Sequence, residues 1–496
     1  MFFRCVAVGI LLLATGLSDA AERRPNILFI VTDDQSPETL RIYGNTLCET
    51  PNIDRLGYEG MVFEDAHHMG SWAGAVCTPS RTMIMTGRTL WNIPGAHGPG
   101  VKFPDSFRKR VAEESLPAVF NRMGYRTFRT CKQGNSFKES NQLFQTSHVA
   151  TKRDGTPEGG SQWHGDRVME FLVQREVRND SEPFLIYLGF SHPHDTRDGT
   201  PELLKKYGAV NHGKLLSSNS LAPRLPVNYL PRHPFDHGHP ELRDEERVEG
   251  VMKRRDEVTI RNELGREYAC IENIDQQIGR VVDKLEQMGE LEHTYVVFTS
   301  DHGIAVGRHG LMGKQNLYEH SWRVPLIVRG PGIRPASRVS GYTYLLDLFP
   351  TLCDLAGIPV PASVEGISLQ PVLMGNRNQI RNVLYGVYCG GTKPGIRSIK
   401  TEGWKLVEYV LFNGAIRKTQ LFDLRANPQE LLVEHHTPEL QKRLGNIPTT
   451  HQKNLAGLSE HDSKRRELQQ LLKKEMERLK DPYRNVIYPE RTTDIP

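Results

Sequence analysis

Three short apolar runs constrain the fold of this chain more than any other feature. Asn26-Ile27-Leu28-Phe29-Ile30-Val31-Thr32, Phe184-Leu185-Ile186-Tyr187-Leu188-Gly189 and Tyr295-Val296-Val297-Phe298-Thr299 are continuous rather than alternating. A strand with one wet face alternates apolar and polar residues; a strand covered on both faces does not need to. These runs therefore predict central strands of a parallel sheet with helices on both sides. Between the second and third run, Tyr268, Ile271, Ile274, Ile278, Val281, Val282 and Leu285 fall at helical spacing, and Gly289 marks a stop. A further helix is predicted from Leu345 to Leu355, and a short element over Ser368–Leu373. At 496 residues the chain exceeds one small domain.

The rhythm changes near Gly375. Leu384–Tyr388, Trp404–Tyr409 and Gln420–Leu424 read as strands of a smaller antiparallel sheet. Leu468, Leu471, Leu472, Met476 and Leu479 then line one face of a charged helix, with packing against that sheet as the expected reason. The predicted organisation is a large α/β unit over residues 21–375 and a smaller α+β unit over 376–496. From about Glu202 to Arg255 the chain is rich in Pro, His, Arg and Asp. The histidine spacing there fits no ligand template, so an irregular insertion over the sheet is expected.

Residues 1–20 have the form of a secretory signal: Arg4, an apolar run from Val6 to Leu17, then Ser18-Asp19-Ala20. The run is too short to span a bilayer. An exported protein is expected, periplasmic or secreted, or lysosomal in a eukaryote. Of seven cysteines, Cys5 leaves with that signal, and the rest form no dense framework. At most two disulfides are expected and none is required. A net charge of +4 is too small for a nucleic-acid footprint at this length.

Polar clusters follow the apolar runs. Asp33-Asp34 follows the first, Ser191-His192-Pro193-His194-Asp195 the second, and Asp301-His302-Gly303 the third. Ligands bind at the C-terminal edge of an open α/β sheet. Adjacent carboxylates there need a cation or donors nearby, although Asp also favours turns and caps. Carboxylates with an imidazole delivered to the same edge form an oxygen-rich divalent site. Cys77-Thr78-Pro79-Ser80-Arg81 continues into Thr86-Gly87-Arg88. Its Cys-to-Arg spacing is too short for a thiolate phosphatase. Pro79 fits the first turn of a helix, with Thr78 or Ser80 capping.

The stretch from Cys77 to Arg88 resembles the signature of type I sulfatases, C-x-P-S-R followed by T-G-R. The resemblance extends over roughly residues 25 to 430 and implies an alkaline phosphatase-like sandwich. In motif the chain is closest to iduronate-2-sulfatase-like bacterial members. A maturation enzyme of that family, the formylglycine-generating enzyme, oxidises the cysteine to an aldehyde, and its hydrate attacks sulfur. The resemblance assigns Cys77 as the modified residue and Arg81 as its stabiliser. Asp33, Asp34, Asp301 and His302, with the modified Cys77, would bind a divalent cation, Ca²⁺ first and Mg²⁺ second. Lys132 and Lys314 would grip the sulfate, and His194 or Lys314 would protonate the leaving alcohol. Lys314 sits in a loop matching the family's second lysine segment, followed by Tyr318-Glu319-His320 and Arg323-Val324-Pro325.

One position departs from the pattern. The family usually shows a histidine two or three residues after the first lysine, where this chain has Gly134 and Asn135. That histidine takes a proton when sulfate is expelled, so His192 or solvent would have to replace it. The implied reaction is hydrolysis of a sulfate monoester, on a sulfated sugar or polysaccharide. A phosphonate or phosphate ester hydrolase of the same superfamily is the nearest alternative, and a non-catalytic binder of sulfated glycans a more distant one. Lys393 or Arg397 could contribute a second anion contact from the loop after Tyr388; an ordinary hairpin explains the same residues.

Overall fold

The computed structural model describes residues 23–152, 160–235, 255–445 and 449–489, so the expected signal at 1–20 lies outside the described residues. Fourteen strands are present among them: β1 (Asn26–Thr32), β2 (Met61–His67), β3 (Gly70–Ser71), β4 (Arg126–Lys132), β5 (Thr146–Ala150), β6 (Phe184–Gly189), β7 (Thr294–Ser300), β8 (Arg323–Arg329), β9 (Ser337–Val339), β10 (Thr343–Tyr344), β11 (Leu384–Tyr388), β12 (Gly395–Thr401), β13 (Trp404–Leu411) and β14 (Ile416–Asp423).

The main sheet runs β10-β2-β8-β7-β1-β6-β4-β5, with β9 beside β2. The stretch β7-β1-β6-β4-β5 is parallel throughout. Only β8 runs against its neighbours β7 and β2. The mixed, mostly parallel sheet sandwiched by helices is the architecture the apolar runs predict. Their continuity has a direct cause. Ile27, Phe29 and Val31 of β1 enter one core with Leu348, Phe349 and Leu352. Leu28 and Ile30 enter the opposite core with Ile271, Ile274, Ile278 and Val282. Each such side chain contributes about 1.5–3 kcal/mol by leaving water. The helix supplying the second set spans Glu257–Gln287. It starts well before the periodic stretch and carries Glu263, Arg266 and Glu267 fully buried.

The second sheet runs β14-β13-β12-β11-β3. It is antiparallel except where β3, from the N-terminal part of the chain, pairs with β11. The helix Asp462–Arg478 lays Leu468, Leu472 and Met476 onto its core, as expected. One expectation needs correction. Segment 390–397 is not a pocket loop but the ordinary hairpin, since β12 begins at Gly395 and pairs antiparallel with β11. Arg397 within it is completely buried, with Nε 2.6 Å and Nη2 3.1 Å from the two carboxylate oxygens of Asp481. A guanidinium held this way cannot read a substrate. The Lys393 ammonium donates to the carbonyl of Cys389. In the irregular segment, Pro201–Lys206 is helical, 207–235 is mostly without regular structure, and 236–254 lies outside the described residues. No helix among the described residues is long and apolar enough to cross a membrane.

Buried ion pairs join the two sheets. Lys400 lies 2.8 Å and Lys405 3.0 Å from Glu319, Lys400 also reaches Asp65 at 2.6 Å, and Lys405 reaches Glu430 at 2.7 Å. Burial opposes ionisation of Glu319, but Lys400 and Lys405 outweigh it and hold its carboxyl well below the usual range. Its stabilising effect is therefore complete above the unfolded value of 4.5 and is lost as pH falls below it. Glu319→Gln leaves two buried ammoniums short of a partner, an expected loss of about 3–5 kcal/mol. Urea unfolding at neutral pH should show that loss, and the gap to wild type should narrow at acid pH.

Candidate active site

Four parallel strands end side by side in the order β7-β1-β6-β4, and their C-terminal ends carry the polar clusters. Thr32 and Ser300 are register partners, so Asp33 and Asp301 leave the sheet together. The ladder continues past the strands: the Asp301 amide donates to Thr32 at 3.2 Å, Phe190 to Val31 at 2.9 Å, and Asp33 to the His192 carbonyl at 3.1 Å. Lys132 is the last residue of β4. Asp34 turns out of the strand with φ of 67°, a left-handed conformation that Asp tolerates better than most residues. Gly303 follows Asp301-His302 where a Cβ would lie 2.1 Å from the carbonyl oxygen of His320, so only glycine fits.

Cys77 opens the helix Cys77–Thr86 from the other side. The helix points its N-terminus at the sheet edge, which favours negative charge there. Neither Thr78 nor Ser80 caps it; the Ser80 hydroxyl instead donates to the Asp301 carbonyl at 2.6 Å. Gly87 ends the helix with φ of 62°, which accounts for the glycine of Thr86-Gly87-Arg88. The Cys77 Sγ lies 3.2 Å from His302 Nε2, 3.4 Å from Lys132 Nζ, 3.5 Å from Asp33 Oδ1 and 3.7 Å from Lys314 Nζ. Burial pushes its thiol pKa up against the pull of Lys132 and Lys314.

Charges alternate around that sulfur. Arg81 Nε lies 2.7 Å from Asp301 Oδ2 and its Nη2 3.4 Å from Asp33 Oδ2. Lys132 pairs with Asp33. Lys314 donates to both oxygens of Asp34 at 2.8 and 2.9 Å. All six side chains are buried, three anions against three cations. Burial opposes ionisation of Asp33, yet Lys132 and Arg81 hold it well below the usual range. His302 Nε2 lies 3.4 Å from Asp34 and 3.5 Å from Asp301, and burial lowers its pKa.

Ligand atoms of Asp33, Cys77, Asp301 and His302 lie within 4.8 Å of one another. Asp34 shares a second such group with Asp33, Cys77 and His194, so the carboxylates of Asp33, Asp34 and Asp301 with the His302 imidazole fit the divalent cation that the resemblance implies. The six charges sum to zero, so a divalent cation would leave the pocket net positive, which favours an anionic ester. His194 stands at the rim, its Nε2 4.0 Å from Asp34 Oδ2 and its Nδ1 2.6 Å from Asp195 Oδ1. Burial opposes ionisation of Asp195, but the His194 hydrogen bond and charge hold its carboxyl below the usual range. Cys77, Arg81, Lys132, His194, Lys314, Asp33, Asp34, Asp301 and His302, the residues assigned by resemblance, thus lie in one cluster.

Sequence reasoning missed several supporting groups. The Cys131 thiol accepts from Arg81 Nη1 at 2.7 Å; its place beside Lys132 was the available signal. All six cysteines among the described residues are free and buried. His164 bridges Thr130 at 2.7 Å and Ser191 at 2.8 Å, behind the His192 segment. Gly134 and Asn135 form a left-handed turn after β4, and a Cβ at Gly134 would meet nothing within 4 Å. The missing histidine is therefore not excluded by crowding.

A family profile described as "Sulfatase" matches residues 25–358, and one described as "N-sulphoglucosamine sulphohydrolase, C-terminal" matches 307–460. The N-acetylglucosamine-6-O-sulfatase of Bacteroides thetaiotaomicron is 25% identical over 534 residues, covering 92% of this chain and 87% of that protein. Arylsulfatase K of Homo sapiens is 26% identical over 460 residues, covering 86% and 82%. A solved structure in complex with its substrate D-glucosamine-2-N,6-O-disulfate superposes with a TM-score of 0.68 at 23% identity, covering 92% of this chain and 98% of that one. A phosphonate monoester hydrolase from Silicibacter pomeroyi reaches 0.68 at 17% identity, covering 93% and 97%. The fold alone does not separate sulfur from phosphorus chemistry.

Arg81→Met removes a buried cation facing two carboxylates and is expected to cost about 3–5 kcal/mol. Urea unfolding checks this, and an unchanged midpoint would contradict the arrangement.

Proposed function

The chain belongs to the sulfatase family and is a sulfuric ester hydrolase; on that premise we propose that it removes a sulfate group from a sulfated sugar or polysaccharide, with Cys77 supplying the nucleophile in its formylglycine form. The substrate class is supported by one relative named as an N-acetylglucosamine-6-O-sulfatase and by a neighbour solved with a glucosamine disulfate. The observation that carries the mechanism is the shell around Cys77: an imidazole, two ammoniums and a carboxylate within 3.7 Å of its sulfur.

Asp33, Asp34, Asp301 and His302 would hold the metal, Ca²⁺ first and Mg²⁺ second. When bound, the metal polarises the sulfate oxygens. Formylglycine at position 77 supplies an oxygen nucleophile and a second hydroxyl that lets the enzyme release sulfate. A formylglycine-generating enzyme is the partner this requires during export.

The chain's own residues do the rest. Lys132 and Lys314 flank the sulfur position and offset the negative charge that would repel an attacking oxygen. Arg81 fixes Asp301 and Asp33, so the carboxylates keep their places as charge moves. His194, at the rim, gives a proton to the departing alcohol oxygen. The proton released with sulfate goes to His192 or to solvent.

Cys77→Ala is expected to lower turnover on the order of a thousandfold or more. Rates measured side by side on an aryl sulfate, sulfated oligosaccharides, a phosphate diester and a phosphonate ester test the substrate class; a phosphorus ester turned over fastest overturns it. Bound metal and modified Cys77 without turnover of any ester would favour the binding-protein reading. His192→Ala separates the two proton routes. A drop of about tenfold or more assigns His192, and undiminished turnover assigns solvent.

A further inference from the structure

The segment after β6 is held more firmly than a rim histidine alone requires. His194 Nδ1 faces two oxygens of its neighbour, Asp195 Oδ1 at 2.6 Å and the Asp195 carbonyl at 2.7 Å. Both are acceptors, so Nδ1 carries the hydrogen. Its other nitrogen is thereby the one presented towards Asp34.

Behind this pair lies a buried clamp. Arg197 Nη1 donates to Glu263 Oε2 at 3.2 Å. Glu263 also accepts from Arg266, whose Nε donates to the Arg197 carbonyl at 3.2 Å and whose Nη2 donates to Asp198 at 2.9 Å. Arg197, Glu263 and Arg266 are each at most 2% exposed. Three buried charges on a helix face and a loop are costly unless they fix something. What they fix is Arg197 and Asp198, the chain just after the His194-Asp195 pair.

We propose that Asp195 is a positioning residue for the leaving-group acid. It holds the His194 ring by Nδ1 so that Nε2 meets the ester oxygen, and the Arg197–Glu263–Arg266 clamp anchors the chain that follows it. The proposal rests on the reading of His194 as the acid. As the bond from sulfur to the alcohol oxygen breaks, that oxygen keeps the electron pair. It takes the proton from Nε2, leaving a neutral imidazole with Nδ1–H still on Asp195. An orienting carboxylate of this kind matters most when the alcohol is a poor leaving group and needs the proton. A sugar hydroxyl is such a group; a nitrophenolate is not.

The test uses the full, mature enzyme and two probes, 4-nitrophenyl sulfate and an alkyl sulfate. The readout is the ratio of kcat on the alkyl ester to kcat on the nitrophenyl ester. In His194→Ala this ratio should fall about 100-fold or more. In Asp195→Asn it should fall about tenfold or more, with KM nearly constant. Thermal melting checks the fold of each variant, and Asp195→Ser takes the place of an Asn variant that does not fold. If His194→Ala shifts the ratio and Asp195→Asn lowers both esters equally, Asp195 is only structural and the proposal is overturned. If His194→Ala leaves the ratio unchanged, the acid assignment itself fails, and the proposal with it.

Discussion

Six opposite charges packed into one buried cluster govern this structure. Asp33, Asp34 and Asp301 lie against Arg81, Lys132 and Lys314 with almost no access to water. A lone charge there would cost several kcal/mol, so each depends on its neighbours. All three carboxylates directly follow parallel strands, and one ammonium, Lys132, ends another. Only a sheet ordered β7-β1-β6-β4, all pointing one way, brings their ends together. The fold is thus the device that makes the charge cluster affordable, and the cluster is what faces Cys77.

Much of this was legible in the sequence because two separate rules agreed. Continuous apolar runs marked the strands covered on both faces, and the residues following them carried the chemistry. The β1 and β6 boundaries match the runs, and β7 extends one residue at each end. The motif at Cys77 then attached a helix to the same edge.

What was not legible depended on partners distant in sequence. Arg397 reads as a pocket cation because Asp481, 84 residues away, gives no local sign of pairing with it. The strand β12 carries arginine and lysine, so its burial follows from contacts that no periodicity reveals. Glu263 and Arg266 lie in helical turns ahead of the periodic stretch, and their burial has the same reason: their partners lie on the segment after β6. Lys400 and Lys405 are likewise explained by Glu319, just before β8, and by Asp65 and Glu430.

The two ion networks do different things with the same physics. The one at Glu319 joins the sheets, whereas the one at Cys77 is arranged around a reacting atom. The account rests on Cys77 being more than a buried thiol, and the mass of its peptide tests that most directly. Protein that turns over a sulfate ester, digested and examined by mass spectrometry, should show an aldehyde in place of the thiol at position 77, reactive towards a carbonyl reagent. Fully active protein carrying only unmodified cysteine there would contradict the account.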